Sequence, residues 1–213
     1  MANQNIRLSN LKNHQQVVDF TVEAVYEVDN QNPLGARFRH NQSGFVLDLL
    51  RIQSVPQAFM WVNSHPVSDR GEPHTLEHLL LGKGTKGRYV ASLEEMSLGN
   101  SSAFTAQLRT CYHFHTPAGS SVFFNLFQIK LDAMLHPNFS DEEIRREVRN
   151  MGITNDPVDG SLSLEEKGTV YNEMISSFER PWGNLYFELG KMIYGHDHPS
   201  AYSAGGYPTA IRE

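Results

Sequence analysis

The order in which the hydrophobic pattern changes its period constrains the fold of this chain more than any other feature. From Phe20 to Arg70 the rhythm is that of β-strands. Val22, Ala24 and Tyr26 alternate with polar neighbours, Phe45–Leu50 reads as a buried strand, and Ala58–Val62 reads as another. Asn41-Gln-Ser-Gly44 is a turn that makes the segments around it a hairpin. Pro73 suits a first helical position, because its missing N–H costs nothing there, and the helix should run to about Leu81 before Gly82 and Gly84 stop it.

Beyond this point strands and helices are segregated. Ser92-Leu-Glu-Glu95 has the form of a capping box opening a second helix, and Ala103–Thr116 reads as two strands broken near Gln107. Phe123–Leu135 has the spacing of a long amphipathic helix, with Phe123, Phe124 and Phe127 as a core stripe. Ser140-Asp-Glu-Glu143 caps another helix ending before Gly152, and Ser163-Leu-Glu-Glu166 is expected to open a last one reaching about Ser176. Such an order predicts an α+β fold, a two-layer sandwich of a mainly antiparallel sheet against helices, rather than alternating βαβ units. Residues 1–213 are expected to form one domain.

Composition narrows the function. A formal charge of −6 and a pI near 5.9 leave no basic stripe for phosphates, so nucleic acid is not the expected partner. Cys111 is the only cysteine, which excludes an intrachain disulfide and a cysteine-based zinc site. No apolar run reaches the roughly 18 residues of a membrane span. The opening Met1-Ala-Asn-Gln-Asn-Ile-Arg has neither a secretory core nor the look of a transit peptide. A cytoplasmic location is therefore favoured, with an organelle matrix or periplasm open if a targeting segment has been removed.

The chemistry lies in His74-Thr-Leu-Glu-His78. Positions i, i+3 and i+4 share one helical face, so His74, Glu77 and His78 converge while Leu76 and Leu79–Leu81 cover the core side. Two imidazoles at this spacing can bind one metal ion, and the order H-x-x-E-H is a metallopeptidase signature. Zinc needs a third protein ligand and an open position for water, and Glu77 stands where it can take that water's proton and deliver it to a leaving amine. The third ligand has to come from elsewhere. Glu173, which shares one face of the expected last helix with Glu166, is a candidate. Glu166 can instead orient the ligands from behind.

Three stretches in order carry a resemblance: His74-x-x-Glu77-His78, Ser102-Ala-Phe-Thr105 followed by Arg109-Thr-Cys-Tyr112, and Gly168-Thr-Val-Tyr-Asn-Glu-Met174. Together they resemble the pitrilysin/insulinase family of zinc peptidases, in particular its presequence-protease-like branch. Ala204-Gly-Gly-Tyr-Pro208 is similar to the family's glycine-proline turn. The resemblance implies the family's antiparallel-sheet-and-helix domain, one Zn²⁺ held by His74, His78 and Glu173, Glu77 as general base, and Glu166 as a supporting carboxylate. It also implies that Ser102, Ala103, Phe104 and Thr105 form an edge strand that pairs with the backbone of short unstructured peptides. Family members commonly carry Asn where this chain has Ser102, and often Asp where it has Leu108. They are much longer, so the chain is expected to be the N-terminal catalytic domain of a multi-domain peptidase, cut near Ile211-Arg-Glu213 and lacking a C-terminal half.

Two rival readings remain: a peptide-binding or scaffold subunit of the same fold, and a metal-dependent hydrolase of a non-peptide substrate. His113 and His115 share a strand face and are expected to be ordinary residues of a half-buried strand. His196-Asp-His198 is expected to be a polar loop following a helix. Gly82-Lys-Gly-Thr-Lys-Gly87 lacks the Lys-Ser/Thr and the preceding strand of a phosphate loop.

Overall fold

A computed structural model describes residues 7–28 and 32–213. Apart from Arg7, the opening segment inspected for a leader lies outside the described residues. The chain divides into two compact units, residues 1–54 and 55–213.

The first unit is an antiparallel sheet in the order β1 (Gln16–Val17), β2 (Phe20–Val28), β3 (Asn32–His40) and β4 (Val46–Leu50). Its core is Val22, Ala36 and Phe38, with Leu8, Leu11, Val17, Phe20 and Val25 packed around them. The expected hairpin is present: β3 and β4 pair from Gly35↔Leu50 to Arg39↔Val46, and Gly44 takes the positive φ of 71° that the turn requires. The expected burial of this strand is not found. All of β4 is exposed: it is an edge strand of its sheet, and the core of the unit gathers on β2 and β3 instead.

The second unit carries the site. Its sheet has the order β5 (Gln57–Asn63), β7 (Arg109–His115), β6 (Asn100–Ala106), all antiparallel. Helices α1 (Glu72–Gly82), α2 (Gly84–Met96) and α3 (Ser120–Leu135) accompany it. Phe114 of the central strand stacks on Phe123 of α3, and with Leu126 they form a core joined by Ala58, Leu93, Val122 and Phe127. Burying side chains of this size stabilises by roughly 1.5–3 kcal/mol each. Phe124 departs from the expected stripe and is exposed, since it stands about 100° around the helix from Phe123. A second anchor is polar: the buried Lys130 of α3 reaches Glu94 of α2 at 2.9 Å and Ser101 of β6 at 2.7 Å.

Two of the three expected capping boxes do not open a helix. α2 starts at Gly84, so Ser92 lies inside it and donates its hydroxyl to the Arg88 carbonyl instead of capping. Ser140 does open α4 (Asp141–Val148) with a complete capping box to Glu143. Ser163–Glu166, however, is not helical. It lies in β9 (Leu162–Lys167), which pairs with β8 (Asn150–Asn155), and helix α5 (Thr169–Phe178) begins only after Gly168. Glu166 and Glu173 are therefore on different elements. An unanticipated helix, α6 (Pro181–Tyr194), follows, and the short α7 (Pro208–Ile211) ends the described chain.

Candidate metal centre

Helix α1 is fixed at both ends before any ligand is considered. Gly71 precedes it with φ 73°, and a Cβ there would meet the Gly205 carbonyl at 2.6 Å, so only glycine permits this approach. Next to it, Asp69 accepts from the Ser203 N–H at 2.8 Å and pairs with Lys191 at 2.9 Å, while its carbonyl accepts from the Tyr207 N–H at 2.7 Å. The Ala204–Pro208 turn is thus clamped to the start of the motif helix. A Cβ on Gly205 would also meet Met174 Sδ at 2.7 Å, so the same turn seats α5. At the far end of α1, Lys83 pairs with Glu147 of α4 at 2.8 Å. The Gly84 N–H donates to Glu143, whose capping-box and Arg88 contacts hold its carboxyl down at about 2.

These supports bring three predicted residues together. His74 Nε2 lies 3.2 Å from His78 Nε2. Glu173 Oε2 lies 3.4 Å from the first and 3.5 Å from the second. Bonds of about 2.0–2.1 Å to a tetrahedral zinc place ligand atoms about 3.3 Å apart, so the triangle has the size of a zinc face. Among the described residues it is the one cluster of histidine, cysteine or carboxylate groups with metal-holding geometry. His113 and His115 have no such third partner. His113 stacks on Phe59, while His198 accepts from the Ser200 N–H in the loop after α6.

Glu77, three residues along α1 from His74, is only 5% exposed, whereas Leu76, expected on the core side, faces outward. Thr105 of β6 donates its hydroxyl to Glu77 Oε2 at 2.6 Å. That assignment orders the hydroxyls behind it: Thr105 accepts from Thr110 at 3.2 Å, and Thr110 accepts from Ser64 at 2.8 Å. Burial first, and then the Glu77 charge, push the nearby Tyr112 phenol well above its ordinary range. Ser102–Thr105 lie on β6, an edge of the sheet. Ala103 and Thr105 share the face that meets Glu77, and Ser102 and Phe104 share the opposite one.

Glu166 is placed elsewhere. Its carboxylate pairs with Arg212 at 2.7 Å and Arg149 at 2.9 Å and accepts from the Tyr171 hydroxyl at 3.4 Å, and the Arg212 guanidinium keeps its pKa low. The carboxylate in contact with His78 from behind is Glu147, 1% exposed and 3.0 Å from its Nδ1. Burial alone would push its pKa up, but Lys83, His78 and Thr169 together hold it below the ordinary range. Sequence reasoning missed it, because Arg145-Arg-Glu147 reads as a solvated helix face and lies 69 residues from His78.

No protein-family model matches the chain. Curated relatives do. It is 31% identical over 211 residues to a mitochondrial presequence protease of Emericella nidulans, covering 93% of this chain and 20% of that protein. Against the mitochondrial presequence protease of Danio rerio the identity is 28% over 204 residues, again covering 93% and 20%. The chain therefore spans about a fifth of the length of these relatives. A crystal structure described as an M16-like peptidase from Alicyclobacillus acidocaldarius superposes with a TM-score of 0.59 at 20% identity, over 89% of this chain and 41% of that one, and shares its fold. The fold shared with that peptidase and the relatives aligned along nearly the whole chain converge: the protein belongs to the pitrilysin/insulinase family of peptidases, on its presequence-protease-like branch.

Proposed function

We propose that this chain is the zinc-binding catalytic domain of a longer endopeptidase that cuts short, unfolded peptides. The observation that carries the reading is the triangle of His74 Nε2, His78 Nε2 and Glu173 Oε2, with sides of 3.2, 3.4 and 3.5 Å. These three residues would hold Zn²⁺, which when bound polarises a scissile carbonyl and acidifies water. Glu77 takes the proton of the attacking water and hands it to the leaving amine. Thr105 occupies one oxygen of Glu77, leaving the other for that transfer. Ser102, Ala103, Phe104 and Thr105 of the edge strand β6 would receive the substrate backbone by strand addition. Glu166 would act at a remove, through Tyr171 on the helix that carries Glu173. The remainder of a longer polypeptide would complete the substrate chamber. Relatives named for mitochondria favour an organelle matrix over the cytoplasm.

The test is zinc content of the purified chain, wild type against Glu173→Gln. Near-stoichiometric zinc in the wild type, lost in the variant, is the expected result. No zinc in either would leave the scaffold reading in its place. In the full-length peptidase, Glu77→Gln should keep zinc while cleavage falls about 10²–10⁴-fold.

A further inference from the structure

Both candidate histidine ligands are held from behind, and the two holders share one chemical property. His74 Nδ1 lies 3.3 Å from the Gly205 carbonyl oxygen, and His78 Nδ1 lies 3.0 Å from Glu147 Oε2. A backbone carbonyl and an ionised carboxylate can only accept, so each Nδ1 must be the nitrogen that carries the proton. In the neutral form that metal binding requires, an imidazole has that single N–H, and both Nε2 atoms then present lone pairs. Those lone pairs face each other across 3.2 Å, with the Glu173 carboxylate closing the third side. Three acceptors gathered without a donor repel one another, and a cation is what relieves the arrangement.

Glu147 is unusual among the acidic residues near the site. It is almost fully buried on α4, its Oε1 neutralised by Lys83 at 2.8 Å and its Oε2 turned to His78. We infer that Glu147 is the positioning residue for His78, fixing the tautomer and ring orientation that aim Nε2 at the metal, while the Gly205 carbonyl does the same for His74. This rests on the zinc reading above and adds a role to a residue that touches neither substrate nor metal. A carboxylate behind a ligating imidazole raises its basicity as well as fixing its orientation. The two imidazoles are therefore unequal, and His78, backed by a charge, is the stronger donor.

The experiment uses the full 213-residue chain, as wild type, Glu147→Gln, Glu147→Asp and, as a control, Glu94→Gln. Glu94 is also buried and bound to a lysine, but it lies in the Lys130 network away from the histidines. Zinc affinity is measured by chelator competition, and the His78 tautomer in metal-free protein by ¹⁵N chemical shifts. Glu147→Gln should weaken zinc about 10–100-fold and shift His78 away from the pure Nδ1–H form. Glu147→Asp should recover part of both, and Glu94→Gln should lower stability while moving neither. Wild-type zinc affinity and an unchanged tautomer in a folded Glu147→Gln protein would overturn the inference. If Glu147→Gln does not fold, the Asp variant carries the comparison, because it keeps the charge and retracts the acceptor. If the wild type binds no zinc, the zinc reading fails, and the metal-free tautomer still decides the role of Glu147.

Discussion

The two sides of the candidate metal triangle are built differently. The histidine side is 15–18% exposed, and each imidazole is held by an acceptor that leaves its ring little freedom. The carboxylate side, Glu173, is 52% exposed and meets only the two imidazoles among the contacts described. A long side chain free of other partners keeps its rotamer entropy until something orders it. The histidines thus form the prepared half of the proposed site, and Glu173, already within 3.5 Å of both imidazoles, is its less restrained half.

The most severe way to break the comparison is to remove a prepared ligand. His78→Ala should abolish zinc binding, whereas Glu173→Asp, which shortens the less restrained arm, should leave weakened but measurable binding by the same chelator assay. Gly205→Ala strikes both sides at once, since its Cβ would crowd Met174 on α5 and lie 3.7 Å from His74 Nδ1. Because the atoms met are the flexible end of Met174, the cost in denaturant unfolding should be about 1 kcal/mol, the low end for overpacking. Displacement of the residue 205 carbonyl behind His74 should lower zinc affinity by about tenfold.

Acid should affect the prepared side through Glu143, which ties the α1–α2 junction to the start of α4. Its folded-state pKa of about 2 lies below the ordinary 4.5, so its contribution is present above pH 4.5 and is lost as pH falls toward 2. Denaturant midpoints should fall across that window in the wild type and fall less in Glu143→Gln. The smallest effect sharpens the contrast between built and incidental charge. Glu142→Ala removes an exposed i,i+4 pair with Arg146 and should change stability by at most about 0.5 kcal/mol, leaving zinc unchanged.

How much of this was legible depends on how local the signal is. The α1 motif, the β6–β7 hairpin, the α3 helix and the α4 cap each rest on a period or a box contained within one element, and the structure has them. The capping pattern failed at Ser92 and Ser163 because Ser-x-x-Glu also occurs in mid-helix and in strands. At the second position a competing signal was present: Leu162 and Leu164 alternate with Ser163 and Glu165, and Met151 and Ile153 do the same across the hairpin. The exposure of β4 depends on which strands flank it, and no window of sequence contains that. Glu147 and the Gly205 carbonyl were illegible for the same reason. One is a carboxylate on a charged helix and the other a backbone atom, and both gain meaning only when α4 and the glycine turn close around α1.

The hydroxyl chain from Ser64 through Thr110 and Thr105 to Glu77 has a mechanical meaning as well as an electrostatic one. Its last donor stands on β6, the strand whose outer edge is unpaired within its three-stranded sheet. A displacement of that strand by a fraction of an ångström lengthens the bond to Glu77 by a similar amount, and hydrogen bonds weaken steeply with stretch and misalignment. The edge strand is therefore a lever arm with the carboxylate at its short end. Whatever stiffens β6 also steadies Glu77, the residue proposed as the general base.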